Sequence, residues 1–170
     1  MLMPKLKKYQ KKFSHSYSFG IYPTLELIKN RGDDVLKVLV KEESTQTEGV
    51  KEITNLCEKK GIHLEINDRL IDKLAFKENT YALGVFKKYV SELDPDSSHI
   101  LLDNPSNMGN LGTIIRTMLG FGFKDLAFVG PSVDIFDPKV VRSTMGALFS
   151  IRFEHYEDIN EYMSEFPKHN

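Results

Sequence analysis

Asn110, Gly112 and Arg116 offer the clearest chemistry in this chain. Arginine presents a planar fork of donors that suits phosphate or carboxylate. Here it follows a segment rich in asparagine and glycine, DNPSNMGNLG, residues 103–112. A short apolar run, Ile100-Leu101-Leu102, precedes that segment, and a helical pattern is read from Thr113 onward. Strand, loop and helix in that order leave backbone N–H groups unpaired at a helix N-terminus, where the helix dipole also favours an anion. In such a helix Ile114 and Met118 share one face and Ile115 and Leu119 a neighbouring one. Gly112, Arg116 and Gly120 recur every four residues on the side left over. Glycines one turn either side of the guanidinium let a backbone or a ligand come close. From the local pattern alone, a surface salt bridge at Arg116 with ordinary turn glycines is an equal alternative.

The run Asn110-Leu111-Gly112-Thr113-Ile114-Ile115-Arg116 resembles the first signature of the SpoU, or TrmH, family of RNA methyltransferases. Phe121-Gly122-Phe123, then VDIFDPKVVR (133–142) and STMGALF (143–149), follow in the order that family shows. The resemblance implies methyl transfer from S-adenosylmethionine to a ribose 2′-hydroxyl of tRNA or rRNA. It makes Arg116 the catalytic candidate, with Asn110 fixing the loop and hydrogen-bonding the ribose and Gly112 keeping the helix entrance open. A guanidinium is a poor general base, so the expected role of Arg116 is electrostatic: binding the phosphate beside the target ribose and stabilising the developing alkoxide. The candidate RNA contacts are Gly112, Thr113, Arg142, Lys7, Lys8, Lys11 and Lys12.

The elements that must position these groups are legible in outline. A helix is read over Tyr22 to Asn30, a strand over Val35 to Val40, and a helix over Gly49 to Lys60 that Gly61 stops. A strand at His63 to Ile66, a short helix from Asp68 to Ala75 with Asp68 as its N-cap, and a strand at Thr80 to Phe86 complete a small α/β unit. By resemblance, this unit is the family's substrate-binding domain, similar to ribosomal protein L30 and L7Ae. After it come strand, central helix, a strand at Leu126 to Val129, a helix capped by Asp137 with Pro138 first, a strand at Ser150 to Phe153, and a helix from Asp158 to Phe166. That order is half of an open parallel sheet, whose ligands gather at the carboxyl ends of strands, and it places Arg142 and Ser143 near the same edge as Arg116. The expected fold class is therefore α/β: an L30e/L7Ae-like domain at 1–92, a linker at 93–98, and the N-terminal half of a Rossmann-like SPOUT methyltransferase domain at 99–170.

Composition frames these readings. The chain has 170 residues, 41% hydrophobic and 28% charged, with a formal net charge of −1, so bulk charge does not mark it as a coat for nucleic acid. The distribution is uneven. Lys5, Lys7, Lys8, Lys11 and Lys12 cluster before the first acidic residue, Glu26, interleaved with Tyr9, Phe13, Tyr17 and Phe19. Cations for phosphates and rings for unstacked bases suit single-stranded RNA; a solvated tail whose rings pack on the domain is the alternative. No span is apolar enough for a membrane, the N-terminus lacks signal-peptide features, and a cytoplasmic location is expected. Cys57 is the only cysteine, expected as buried packing, and no metal site is expected.

The family's later signatures, which build a C-terminal knot and hold S-adenosylmethionine, have no match after Phe149. The donor site is therefore expected beyond residue 170, the chain is read as the N-terminal part of a longer enzyme or a naturally truncated relative, inactive alone, and the complete enzyme is expected to be a homodimer. Apolar surface that the missing part covers predicts self-association. Two other readings stay open: a non-catalytic RNA-binding module, and a Rossmann-type nucleotide-binding domain. The spacing of Gly109, Gly112 and Gly120 does not fit the dinucleotide fingerprint that the second requires.

Overall fold

The computed structural model describes residues 6–168, so Lys5 and the tail residues His169 and Asn170 lie outside the described residues. The first half forms a mixed four-stranded sheet in the order β1-β4-β2-β3, built from β1 (His15–Phe19), β2 (Val35–Val40), β3 (Leu64–Ile66) and β4 (Ala82–Lys87). Strand β4 runs antiparallel to both β1 and β2, and β2 runs parallel to β3. Helices α1 (Ile21–Arg31) and α2 (Glu48–Lys60) pack on one face, where Leu25, Ile28, Val50, Ile53 and Cys57 meet Val38 and Val40. Helix α3 (Asp68–Leu74) covers the other through Ile71 and Leu74. Gly61 ends α2 in the left-handed conformation, as its place after the last apolar residue predicts. Burial pushes the Cys57 thiol up to about 11, as befits packing.

The second half is a parallel sheet, β5-β6-β7, formed by β5 (His99–Asp103), β6 (Asp125–Val129) and β7 (Arg152–Tyr156). The crossovers are α4 (Met108–Gly120) and α5 (Pro138–Ser143), and α6 (Ile159–Glu165) follows β7. Side chains alternate along the central strand: Leu126 and Phe128 face α4 and α5, whereas Ala127 and Val129 face α6 with Tyr156, Tyr162 and Phe166. Asp137 caps α5 by accepting the Lys139 N–H at 2.8 Å, with Pro138 in the first turn as read from sequence.

Four details differ from the sequence reading. Helix α4 starts at Met108, capped by Asn107, so Asn110 and Gly112 are helical and not part of the loop. The cap of α3 is Asn67, whose side chain accepts the Leu70 N–H; the Asp68 carboxylate instead accepts the Glu42 N–H. Residues 147–150 form a single 3₁₀ turn, so β7 begins at Arg152. A strand also forms at His15–Phe19, where Tyr17 and Phe19 are 1% and 2% exposed; these two rings are core.

The two sheets share one apolar core. Leu27 of α1 and Phe86 of β4 pack with Leu111, Ile115, Phe136, Leu148 and Phe149, and the Phe86 and Phe149 rings meet edge to face at 5.2 Å. Ser16 donates to the Phe136 carbonyl at 2.5 Å across the seam. Residues 91–94 are seated too: Leu93 is buried, Ser91 donates to the Phe153 carbonyl at 2.9 Å, and the Leu93 N–H reaches Glu154.

Candidate RNA-binding and catalytic site

Helix α4 carries the central residues on two sides. Leu111, Gly112, Ile115 and Met118 are buried, while Asn110, Thr113 and Arg116 are exposed. With 1.5 Å of rise and 100° of turn per residue, Asn110 and Arg116 stand about 9 Å apart along the axis and about 120° apart around it, both exposed. Arg116 therefore lies more than two turns below the helix N-terminus and is not at the rim of the loop. Thr113 spends its hydroxyl on the Gly109 carbonyl at 3.1 Å.

Gly112 serves the crossing of α4 over α5. A methyl group there would overlap the Ser143 side chain and lie 2.9 Å from the Ser143 carbonyl carbon. Gly112→Ala is expected to cost about 1–3 kcal/mol by overpacking, offset partly by alanine's better helix propensity. Ser143→Gly in the same chain should recover part of the loss, and a double-mutant cycle in urea would read that coupling.

Arg116 lines a cleft of 400 Å³ with Leu119 and Gly120 of α4, Tyr22 and Glu26 of α1, and Thr144, Met145, Ala147 and Ser150. Among the described residues its side chain makes no hydrogen bond or ion pair, so the guanidinium is free to take an anion. Arg142 lies elsewhere: its guanidinium carbon is 5.9 Å from the Phe76 ring centroid, and its Nη1 is buried with no hydrogen-bond partner. The structure thus does not bring Arg116 and Arg142 into one cavity.

The basic N-terminal segment is strapped over the seam between the sheets. Tyr9 donates to the Asp134 carboxylate, Tyr17 donates to the Lys7 carbonyl at 2.7 Å, and Lys88 donates to the Lys11 carbonyl at 2.8 Å. Burial, joined by the Asp134 charge, pushes the Tyr9 phenol well above its usual range. Burial lowers the Lys88 ammonium, and Asp134, 3.7 Å away, opposes it. Lys7, Lys8, Lys11 and Lys12 all remain exposed. Lys8 borders a small cavity with Phe76 and Lys139, and Lys11 borders a larger one of 690 Å³ at the carboxyl end of β6 with Tyr89, Asp134 and His155. Burial, with Lys11 adding to it, lowers the His155 imidazole. Phe76, Lys139, Asp134 and Lys88 were missed by sequence reasoning; a phenylalanine inside the polar turn AFKENT was a usable signal.

Gly112 is filled by Ser143 and Gly130 by Asn104, while Gly120 and Gly122 face open space. No group of three His, Cys, Asp or Glu able to hold a metal occurs among the described residues. No helix among them is long and apolar enough to cross a membrane.

Residues 97–170 match the family described as SpoU rRNA Methylase. The 23S rRNA (uridine(2479)-2'-O)-methyltransferase of Streptomyces viridochromogenes is 44% identical over 52 residues, 31% of this chain and 18% of that protein. The mitochondrial rRNA methyltransferase 3 of Xenopus laevis is 35% identical over 78 residues, 41% of this chain and 19% of that protein. Among solved structures, the SpoU methyltransferase AviRb from Streptomyces viridochromogenes, in complex with AdoMet, aligns with a TM-score of 0.75 at 22% identity over 91% of this chain and 60% of that one. A TrmH-family protein from Porphyromonas gingivalis aligns with a TM-score of 0.71 at 18% identity, over 91% and 59%. This chain therefore spans less than a fifth of those curated relatives in alignment and about three fifths of those solved chains. The fold is the expected one, an L30e-like α/β unit followed by part of a SPOUT-type domain, and residues 97–170 are similar to the SpoU rRNA methylase family.

Proposed function

We propose that this chain is the RNA-recognising part, together with the arginine-bearing helix, of an S-adenosylmethionine-dependent rRNA ribose 2′-O-methyltransferase. Residues 1–92 bind RNA, 93–98 connect, and 99–170 present the target ribose to the reaction. The observation that carries this reading is Arg116, an exposed arginine without a partner among the described residues, in a cleft between α1 and α4. It clamps a phosphate beside the ribose and stabilises the alkoxide as the 2′-hydroxyl loses its proton. Asn110, exposed nearer the start of the same helix, offers both a donor and an acceptor to the ribose. The methyl donor is assigned to sequence outside the described residues, which is why a purely RNA-binding role for this chain by itself is the second reading.

The test is binding of single-stranded rRNA segments across a salt series, with calorimetric titration of S-adenosylmethionine alongside. RNA affinity should fall with salt, and Arg116→Ala should reduce the steepness by about one phosphate contact. In any form of the protein that turns over, Arg116→Ala should lower methyl transfer about 10²–10³-fold, the effect of losing one charge-stabilising donor. Unchanged transfer would end the assignment. Donor binding to this chain alone would overturn the division between RNA and donor sites.

A further inference from the structure

A cavity of 180 Å³ lies where three separate parts of the chain meet. The end of α3, Leu74–Phe76, forms one wall and the start of α5, Asp137–Lys139, another; Tyr17 and Phe19 line it from β1, and Lys8 and Tyr9 of the strap border it. Its volume equals roughly six waters at about 30 Å³ each, the size of one planar ring system and too small for a peptide segment. Phe76 is 40% exposed in this cavity although it is a large apolar ring. Its position is fixed: the Phe19 ring meets it edge to face at 5.2 Å, and the Arg142 guanidinium lies 5.9 Å from its centroid.

The charges around the cavity are selective. Lys8 and Lys139 are exposed cations at its border, and Arg142 adds a third charge beside Phe76 with its buried Nη1 unpaired. The one carboxylate lining it, Asp137, is already engaged by the Lys139 backbone N–H at 2.8 Å. A fixed aromatic face among cations matches a flat ligand flanked by negative charge. We propose that this cavity is a subsite for one unpaired nucleobase of single-stranded RNA, stacked on Phe76, with the adjoining phosphates on Lys8 and Lys139.

This subsite rests on the RNA-binding reading above and adds a place and a mode to it. Tyr9 is tied to Asp134 and Tyr17 to the Lys7 carbonyl, so the border is built before RNA arrives. Stacking is tolerant of base identity, so the subsite grips an unpaired nucleotide without choosing its sequence and discriminates against duplex.

The probe is a short fluorescein-labelled single-stranded RNA, titrated with the full chain and read by anisotropy. Phe76→Ala should weaken binding about tenfold, and Phe76→Tyr should keep wild-type affinity. Phe76→Leu preserves apolar packing on Phe19 and should lose as much affinity as alanine, which separates stacking from folding. A 4-thiouridine in the same RNA should crosslink to the peptide containing Phe76 or Tyr9. If wild type binds and both Phe76→Ala and Phe76→Leu stay within about twofold, the subsite is wrong and the RNA reading survives. If the wild-type chain does not bind the RNA at all, both readings fall.

Discussion

Gly146→Val is expected to lower the stability of the whole chain by about 3–5 kcal/mol, the sum of a backbone term and a packing term. Gly146 has φ +91°, in the region where a β-branched residue is most strained. A Cβ there would sit 2.5 Å from the Glu26 Cβ and 3.7 Å from the Pro23 Cα, so the side chain would push directly on α1. The residues just after it, Leu148 and Phe149, are in the core shared by both sheets. Displacing α1 from this turn therefore opens the seam and does not merely loosen a loop. Urea unfolding followed by far-ultraviolet circular dichroism and by tyrosine fluorescence would measure it. Wild type should unfold in one transition, because a shared core couples the two sheets. The variant should shift to lower urea, and separated transitions would locate the damage at the seam. A loss below about 1 kcal/mol would mean that the turn moves freely, contrary to its packing.

The sequence made some of this fold readable because local chemistry decided it. Gly61 ends α2 and Asp137 with Pro138 starts α5 where expected, since caps and breakers act over a few residues. Helix α4 was harder. Met108 to Gly112 reads as a loop because two glycines and an asparagine lower helix propensity, yet Asn107 caps the helix and Ser143 fills the space beside Gly112. The glycine that suggested ligand access exists for helix contact, and only the fold reveals its neighbour. Strand β1 was masked by the lysines before it: alternating Tyr17 and Phe19 resemble an RNA-stacking pattern as much as a core strand. The exposure of Arg116 followed from the helical period, which survives a shift of the helix start. The cavity at Phe76 combines residues far apart in sequence, and no local pattern announces such a meeting.

The half-buried pair at the amino end of the second sheet carries the other large expected effect. Asp125 and Arg152 stand opposite each other in the β6–β7 register, and Arg152 donates twice to the carboxylate at 2.6 Å. Asp125 is 1% exposed and also accepts the Asp94 N–H at 2.9 Å, which holds the segment before β5 to the sheet. Burial raises the Asp125 carboxyl, but the hydrogen bonds from Arg152 and Asp94 outweigh it and hold the group below its ordinary value. Its folded value is thus depressed. The pair's contribution is fully present above the unfolded carboxyl value of about 4 and is lost as pH falls through the lower folded value. Arg152→Leu removes the cation and leaves burial dominant, so Asp125 should rise above the ordinary range and the acid limb of stability should move to higher pH. Because Arg152 is 37% exposed, the loss at neutral pH is expected at about 2–4 kcal/mol, somewhat less than for a fully buried pair. Adding Asp125→Asn keeps an acceptor for the Asp94 N–H and removes the stranded charge, so the double variant should recover a large part of that loss. Thermal unfolding from pH 3 to 8 would check both statements; an acid limb unmoved in Arg152→Leu would show that Asp125 is held by its backbone donor alone.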